Sequence, residues 1–254
     1  MRYLMLLWYV VSRPSWARHI LWNARFKLAI FNRRSVHRIA EYDQNAMPLG
    51  DVLQKACASS PDRVIEELER YEEGALHSDS SRGVIPSKND ATEELAKALY
   101  CMVRLTRPSI VVETGVGRGV TSYNILRALA ENGNGHLYSI DLPVLRYGAR
   151  SDVGNLVTEW LRARWTLIFG PGVDEMMRLF GTIGSIDMFI HDSDHRYLNQ
   201  LREYQLALTV MNKGGILVSD DIDTDALADA SDKFSCQLMV ARHSKSRDIG
   251  ILLR

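Results

Sequence analysis

The chain has 254 residues, 46% apolar and 24% charged, with 31 basic and 31 acidic side chains, enough for one large globular domain plus an extension. Net neutrality argues against nucleic acid as the default partner. Cys57, Cys101 and Cys236 are scattered and odd in number, which excludes a disulfide scaffold and fits reduced thiols in a cytoplasmic protein.

The neutrality hides an asymmetry. Arg2, Arg13, Arg18, Arg25, Lys27, Arg33, Arg34 and Arg38 all precede the first carboxylate, Glu41. Residues 3–11 are apolar but too short to span a bilayer, and Ser12-Arg13-Pro14 is wrong for a signal-cleavage site. In residues 16–30, Trp16, Trp22 and Phe26 stand among Arg18, Arg25 and Lys27. That composition suits a helix lying on an anionic membrane face, a peripheral contact made through residues 1–38. A helix packed on the rest of the chain or on a second subunit is the other reading. Residues 1–60 are thus a basic, aromatic extension, and 41–60 read as connection.

Residues 61–108 form a helical lead-in. Residues 61–71 are an acidic helix, and 77–88 a loop of Ser, Asp, Arg, Gly and Pro. Asp90, with Glu93 three residues on, has the spacing of a capping box. The helix it opens runs to about 105, with Leu95, Leu99 and Met102 on one stripe. Arg107-Pro108 ends it.

Residues 109–254 read as one α/β domain. Ile110-Val111-Val112 runs into Glu113, then into the turn Gly115-Val116-Gly117-Arg118-Gly119, then into a helix from Ser122. Strand, glycine turn and helix open a doubly wound domain, with free helix amides facing something anionic. A dinucleotide site wants Gly-x-Gly-x-x-Gly. Here the spacing differs, and the Glu113 carboxylate would repel a pyrophosphate. It suits the ammonium of S-adenosylmethionine (SAM), whose ribose diol needs a second acid; Asp141, ending residues 136–141, supplies it.

Residues 142–152 then read as a loop and 153–164 as a helix. Strands follow at 166–170, 186–191 and 214–219, with helices at 173–180, 197–210 and 225–234. The runs 237–241 and 249–253 are joined by a junction too short for a parallel crossover, so they are antiparallel neighbours. The fold class is therefore α/β: a Rossmann-like, seven-stranded, doubly wound sheet with an antiparallel last strand.

Four motifs carry a resemblance over residues 85–254: Glu113-Thr114-Gly115-Val116-Gly117-Arg118-Gly119, residues 138–143, Ile186 to His195, and Gly214 to Asp221. The chain resembles the class I SAM-dependent methyltransferases. More narrowly it is similar to the metal-dependent small-molecule O-methyltransferases of the catechol and macrolide-sugar type. The resemblance implies that Glu113, Gly115, Gly117 and Gly119 hold the methionine end of SAM. It implies Thr121 or Ser122 for the carboxylate, Asp141 for the ribose and Gly170 to Val173 for the adenine. It also implies Asp192, Asp220 and Asp221 as Mg²⁺ ligands.

The residues support that chemistry independently. Ligands in an open parallel sheet sit beyond the carboxyl ends of the strands. Asp192 ends the fourth strand, and Asp220 and Asp221 end the fifth, its expected neighbour. Three converging carboxylates repel one another unless a divalent cation is shared, and the same cation would activate an acceptor hydroxyl. His195, three residues past Asp192, suits a general base, with Asp194 as the alternative base or its orienter. His191 reads as core and Asp187 as structural, while Arg118 either closes over the cofactor or faces water.

The leading expectation is an O-methyltransferase acting on a hydroxyl of a sugar or other small polar molecule. A metal-free methyltransferase and a SAM-binding partner without catalysis remain as alternatives. A nicotinamide dehydrogenase is disfavoured by Glu113 and the terminal hairpin. Oligomeric state and substrate identity are not legible.

Overall fold

A computed structural model describes residues 41–42, 44–74, 90–142, 152–242 and 248–254. The expected membrane-facing helix and the loop at 77–88 lie outside them, as does nearly all of the loop at 142–152. Among the described residues, no helix is long and apolar enough to cross a membrane.

The elements are α1 (Leu49–Ala56), α2 (Pro61–Glu73), α3 (Glu93–Thr106), β1 (Ile110–Thr114), α4 (Val120–Asn132) and β2 (His136–Asp141). A 3₁₀ turn (Glu159–Arg164) then leads to β3 (Trp165–Phe169), α5 (Gly172–Ile183), β4 (Ile186–His191) and α6 (Tyr197–Val210). Last come β5 (Met211–Ser219), α7 (Ala226–Phe234), β6 (Gln237–Ala241) and β7 (Ile249–Leu253). The seven strands form one sheet in the order β3-β2-β1-β4-β5-β7-β6. The first five are mutually parallel, and β7 lies antiparallel to both β5 and β6.

Strand alternation divides the core between two faces. Val111, Met188, Ile190, Ile216 and Val218 pack with Leu95, Leu99 and Met102 of α3 and Ile125 and Leu129 of α4. Val112, Phe189 and Leu217 face the other way, against Met176 of α5 and Tyr204 and Leu208 of α6. The chain reverses its strand order between β1 and β4, so the crevice beyond their carboxyl ends is the natural ligand site.

Three expectations are corrected. Asp90 does not cap α3: Thr92 does, its Oγ1 accepting from Leu95 N at 3.2 Å, and the Asp90 carboxylate is taken by Arg118 Nε at 2.9 Å. Residues 41–60 are more than connection. They carry α1, whose Val52 and Leu53 are fully buried, and Met47 bridges Ala241 to extend the sheet beyond β6. Residues 153–164 form no α-helix. Gly154 has a left-handed φ of +69°, and the amides of Gly154 and Leu156 donate to Gly117 O and Arg118 O, each at 3.0 Å. A left-handed residue cannot continue a right-handed helix, so the segment docks on the glycine turn and only the 3₁₀ turn behind Thr158 follows.

Candidate active site

The β1–α4 turn is built around close backbone approaches. Gly115 has φ +86°, and a Cβ there would stand 1.9 Å from Asp192 O. Gly119, at φ +95°, would place a Cβ 2.9 Å from Gly154 Cα. Both positions require glycine. Gly117 also has positive φ. The turn is thus pressed onto the loop after β4 on one side and onto residues 153–157 on the other.

Glu113 is sealed from solvent beneath this turn. Its Oε2 accepts from Ser122 Oγ at 2.6 Å and Ser139 Oγ at 2.7 Å, while Oε1 is buried without a hydrogen-bond partner. Burial pushes the carboxyl up to about 7, against the pull of the Ser122, Thr121 and Ser139 hydroxyls. The Ser122 hydroxyl is therefore occupied by Glu113, and Thr121 is buried. No side chain caps α4, so its first-turn amides are the anion-binding feature here.

Asp141, at the end of β2, turns Oδ2 back to the amides of Val116 at 2.8 Å and Gly117 at 3.2 Å. Burial raises its pKa while those two amides oppose the shift. Gly170 joins it across the strand ends, donating its N–H to Asp141 O at 3.0 Å.

On the other side of the switch point, His191 pairs with Ser219, which brings the exits of β4 and β5 together. Ligand atoms of Asp192, His195 and Asp220 all lie within 4.8 Å of one another. Asp221 is not part of that trio. Its backbone is left-handed, at φ 49°, and its Oδ2 bonds His195 Nδ1 at 3.0 Å. A carboxylate can only accept, so Nδ1 carries the proton and Nε2 is left facing the site. Nε2 stands 3.7 Å from Asp192 Oδ1 and is buried without a hydrogen-bond partner.

Asp194 is not the orienter of His195; it is engaged by Arg196, with Nε at 2.7 and 2.8 Å. Arg118 does not face water: it is buried and ion-paired with Asp90. Asp187 is structural, accepting from Ser109 N, Ile110 N and Asn212 Nδ2 at the far end of the sheet.

The acids and the imidazole share charge. Burial, reinforced by the carboxylates of Asp192 and Asp221, pushes Asp220 up to about 7. Burial disfavours the charged form of His195, but Asp192 and Asp221 outweigh it and raise the imidazole to about 10. Without another cation beside Asp192 and Asp220, His195 is an imidazolium that neutralises the acids.

Below this surface lies a polar network that sequence reasoning missed. Glu203, on α6, accepts from Thr114 Oγ1, His191 Nδ1, Ser193 Oγ and Asn199 Nδ2. Tyr204 Oη and Ser219 Oγ are 2.6 Å apart beside it. The spacing Asn199, Glu203 on one helix face gave a signal, but nothing in the sequence shows that β1 and β4 meet that face.

A family model described as a methyltransferase domain matches residues 112–222, which span the glycine turn, Asp141, Asp192, His195, Asp220 and Asp221. Among solved structures, the chain is similar to an O-methyltransferase from Bacillus cereus in complex with SAH. That pair is 13% identical with a TM-score of 0.53, over 81% of this chain and 97% of that one. It is also similar to the O-methyltransferase TomG from Streptomyces achromogenes, involved in tomaymycin synthesis and in complex with SAM. There the identity is 18% and the TM-score 0.52, over 77% of this chain and 90% of the other. At these identities the likeness is one of fold. A comparison with curated proteins finds no match.

By that match the segment from β1 to just past β5 is similar to a methyltransferase domain. The crevice offers groups that would suit SAM: an orphaned, buried Glu113 oxygen for an ammonium, uncapped α4 amides for a carboxylate, and Asp141 at the end of β2 for a diol. Its acid cluster also fits a divalent cation. Asp192 and Asp220 offer carboxylate oxygens within 4.8 Å of each other, hard donors of the kind such a cation takes, and leave His195 Nε2 free beside them.

Proposed function

We propose that this chain is a SAM-dependent methyltransferase that methylates a hydroxyl of a small polar acceptor, a sugar or another natural product, with help from a divalent cation. One observation carries the reading: the Gly115 turn lies directly against the backbone of Asp192, so the donor-binding half and the acid–imidazole half form one crevice. SAM supplies a methyl group that leaves sulfur as the acceptor oxygen attacks in line, giving a methyl ether and adenosylhomocysteine.

Each residue then has a task. Glu113 Oε1 receives the ammonium of the donor, the α4 amides its carboxylate, and Asp141 its ribose; Gly170 borders the adenine. Asp192 and Asp220 would hold the cation, Mg²⁺ in the simplest case, which would polarise the acceptor oxygen. Asp221 fixes the His195 ring through Nδ1 and turns Nε2 toward the acceptor. Once its carboxylate neighbours share their charge with a cation, His195 takes the hydroxyl proton on Nε2.

Activity over a panel of glycosides and phenols tests this. Turnover abolished by EDTA and restored by Mg²⁺ is expected; turnover indifferent to EDTA leaves the metal-free alternative, in which the imidazolium alone balances the acids. His195→Ala should lower turnover about 10²- to 10⁴-fold and leave adenosylhomocysteine affinity unchanged. Unchanged turnover removes His195 as the base. No turnover in any arm, with SAM still bound, leaves the non-catalytic partner. The basic segment 1–38 remains proposed as a peripheral membrane contact; flotation with anionic liposomes that survives its deletion overturns that.

A further inference from the structure

Glu203 has no part in the chemistry just described, yet it is fully enclosed and takes donors from both halves of the crevice. Thr114 Oγ1 donates at 2.6 Å from the last residue of β1, immediately before Gly115. His191 Nδ1 donates at 2.9 Å from the last residue of β4, immediately before Asp192. Ser193 Oγ donates at 3.1 Å from the residue after Asp192, and Asn199 Nδ2 at 3.1 Å from α6 itself. The two halves are also joined directly, Asp192 N donating to Thr114 O at 2.8 Å.

Burial works against a charge on Glu203, and its donors more than compensate, holding its pKa below the usual range. A neutral side chain of similar shape would leave one or more of these buried donors without an acceptor. The space is tight as well: a Cβ on Gly172, at the start of α5, would stand 2.3 Å from Glu203 Oε1. Four donors from β1, β4, the loop after it and α6 thus converge on one enclosed carboxylate, which holds them relative to one another.

We propose that Glu203 is a positioning residue that sets the glycine turn and the Asp192–His195 loop in register. This rests on the methyl-transfer reading for its meaning, but not for its test. Residues on either side of the bonded groups do the work: Gly115 on one strand, Asp192 and His195 on the other. The His191 ring, with its centroid 5.5 Å from that of His195, extends the same support beneath the base. Support of this kind, one shell behind the acting groups, is commonly worth about 10- to 100-fold in affinity or activity.

The test uses the full chain at a temperature well below its melting transition. Adenosylhomocysteine affinity is measured by calorimetry and the His195 ring resonances by NMR, in Glu203→Gln, Thr114→Val and Ser193→Ala. Glu203→Gln should weaken adenosylhomocysteine about tenfold or more and also shift the His195 resonances. Thr114→Val should mainly weaken the ligand, and Ser193→Ala mainly shift His195. Variants that melt earlier but keep wild-type affinity and wild-type His195 resonances overturn the proposal and leave Glu203 as structural support. If Glu203→Gln does not fold, the two single-donor variants decide on the same readouts. If the wild-type protein does not bind adenosylhomocysteine, the donor-site reading fails, while the His195 resonances still report on Glu203.

Discussion

Glu113 and Glu203 are both sealed from solvent, on either side of the same crevice, and they are held in opposite ways. For both, burial is the largest influence and favours the neutral acid. Around Glu113 the donors are hydroxyls, and burial prevails, pushing it up to about 7. Around Glu203 an imidazole N–H and an amide N–H join the hydroxyls, and its pKa falls below the usual range. A hydroxyl can donate or accept and so tolerates either form of the acid, whereas the Asn199 amide N–H only donates and favours the charged form. Enclosure alone therefore does not set the state of a carboxylate. Glu113 is left responsive to an arriving cation, and Glu203 is scaffolding whose donors favour its charged form.

The largest expected effect breaks the scaffold side. Glu203→Ala should cost about 3–5 kcal/mol in urea unfolding, because His191, Thr114 and Asn199 lose their buried acceptor. A loss under about 1 kcal/mol would place Glu203 in the same class as Glu113.

The next sharpens the responsive side through pH. Because Glu113 is raised in the folded state, its contribution to stability is fully present below its ordinary value of 4.5 and is lost as pH rises through about 7. Glu113→Gln removes that loss. Melting curves of variant and wild type should keep a constant offset up to pH 4.5 and then move in favour of the variant by pH 9, by about 3 kcal/mol. An offset that does not change with pH contradicts the shift. Ligand binding should show the same group from the other side. Wild-type adenosylhomocysteine affinity should rise several-fold from pH 6 to pH 8 as Glu113 ionises to meet the ammonium, and in Glu113→Gln it should be weaker and flat.

The smallest effect is a control remote from both glutamates. Thr92→Ala removes the hydroxyl that caps α3 and should cost about 1 kcal/mol, without altering ligand affinity at any pH.

Much of the fold was legible because its signals are local. The strands at 186–191, 237–241 and 249–253 and the helix at 197–210 coincide with the elements observed, since each is an apolar run or an amphipathic repeat bounded by turn residues. The errors arose where a tertiary partner outbid a local preference. The segment 153–164 has helical composition, but it docks on the glycine turn with Gly154 in a left-handed conformation. Asp90 has capping chemistry, but Arg118 claims it, and Thr92 stands nearer the helix start.

The sequence by itself determined which residue types reach the carboxyl ends of the central strands: glycines with an acid after β1, an acid after β2, and Asp192, His195, Asp220 and Asp221 after β4 and β5. Strand period and the turn residues at strand ends are encoded within short windows, so those positions follow from the chain alone. Only the tertiary structure decided which of them face one another. The left-handed backbone at Asp221 turned its carboxylate to His195 Nδ1 and left Asp192, His195 and Asp220 as the close trio. The fold of β1, β4 and α6 around Glu203 gathered donors from positions up to 89 residues away. Side-chain direction and long-range hydrogen bonding depend on the packed backbone, and no window of sequence contains them.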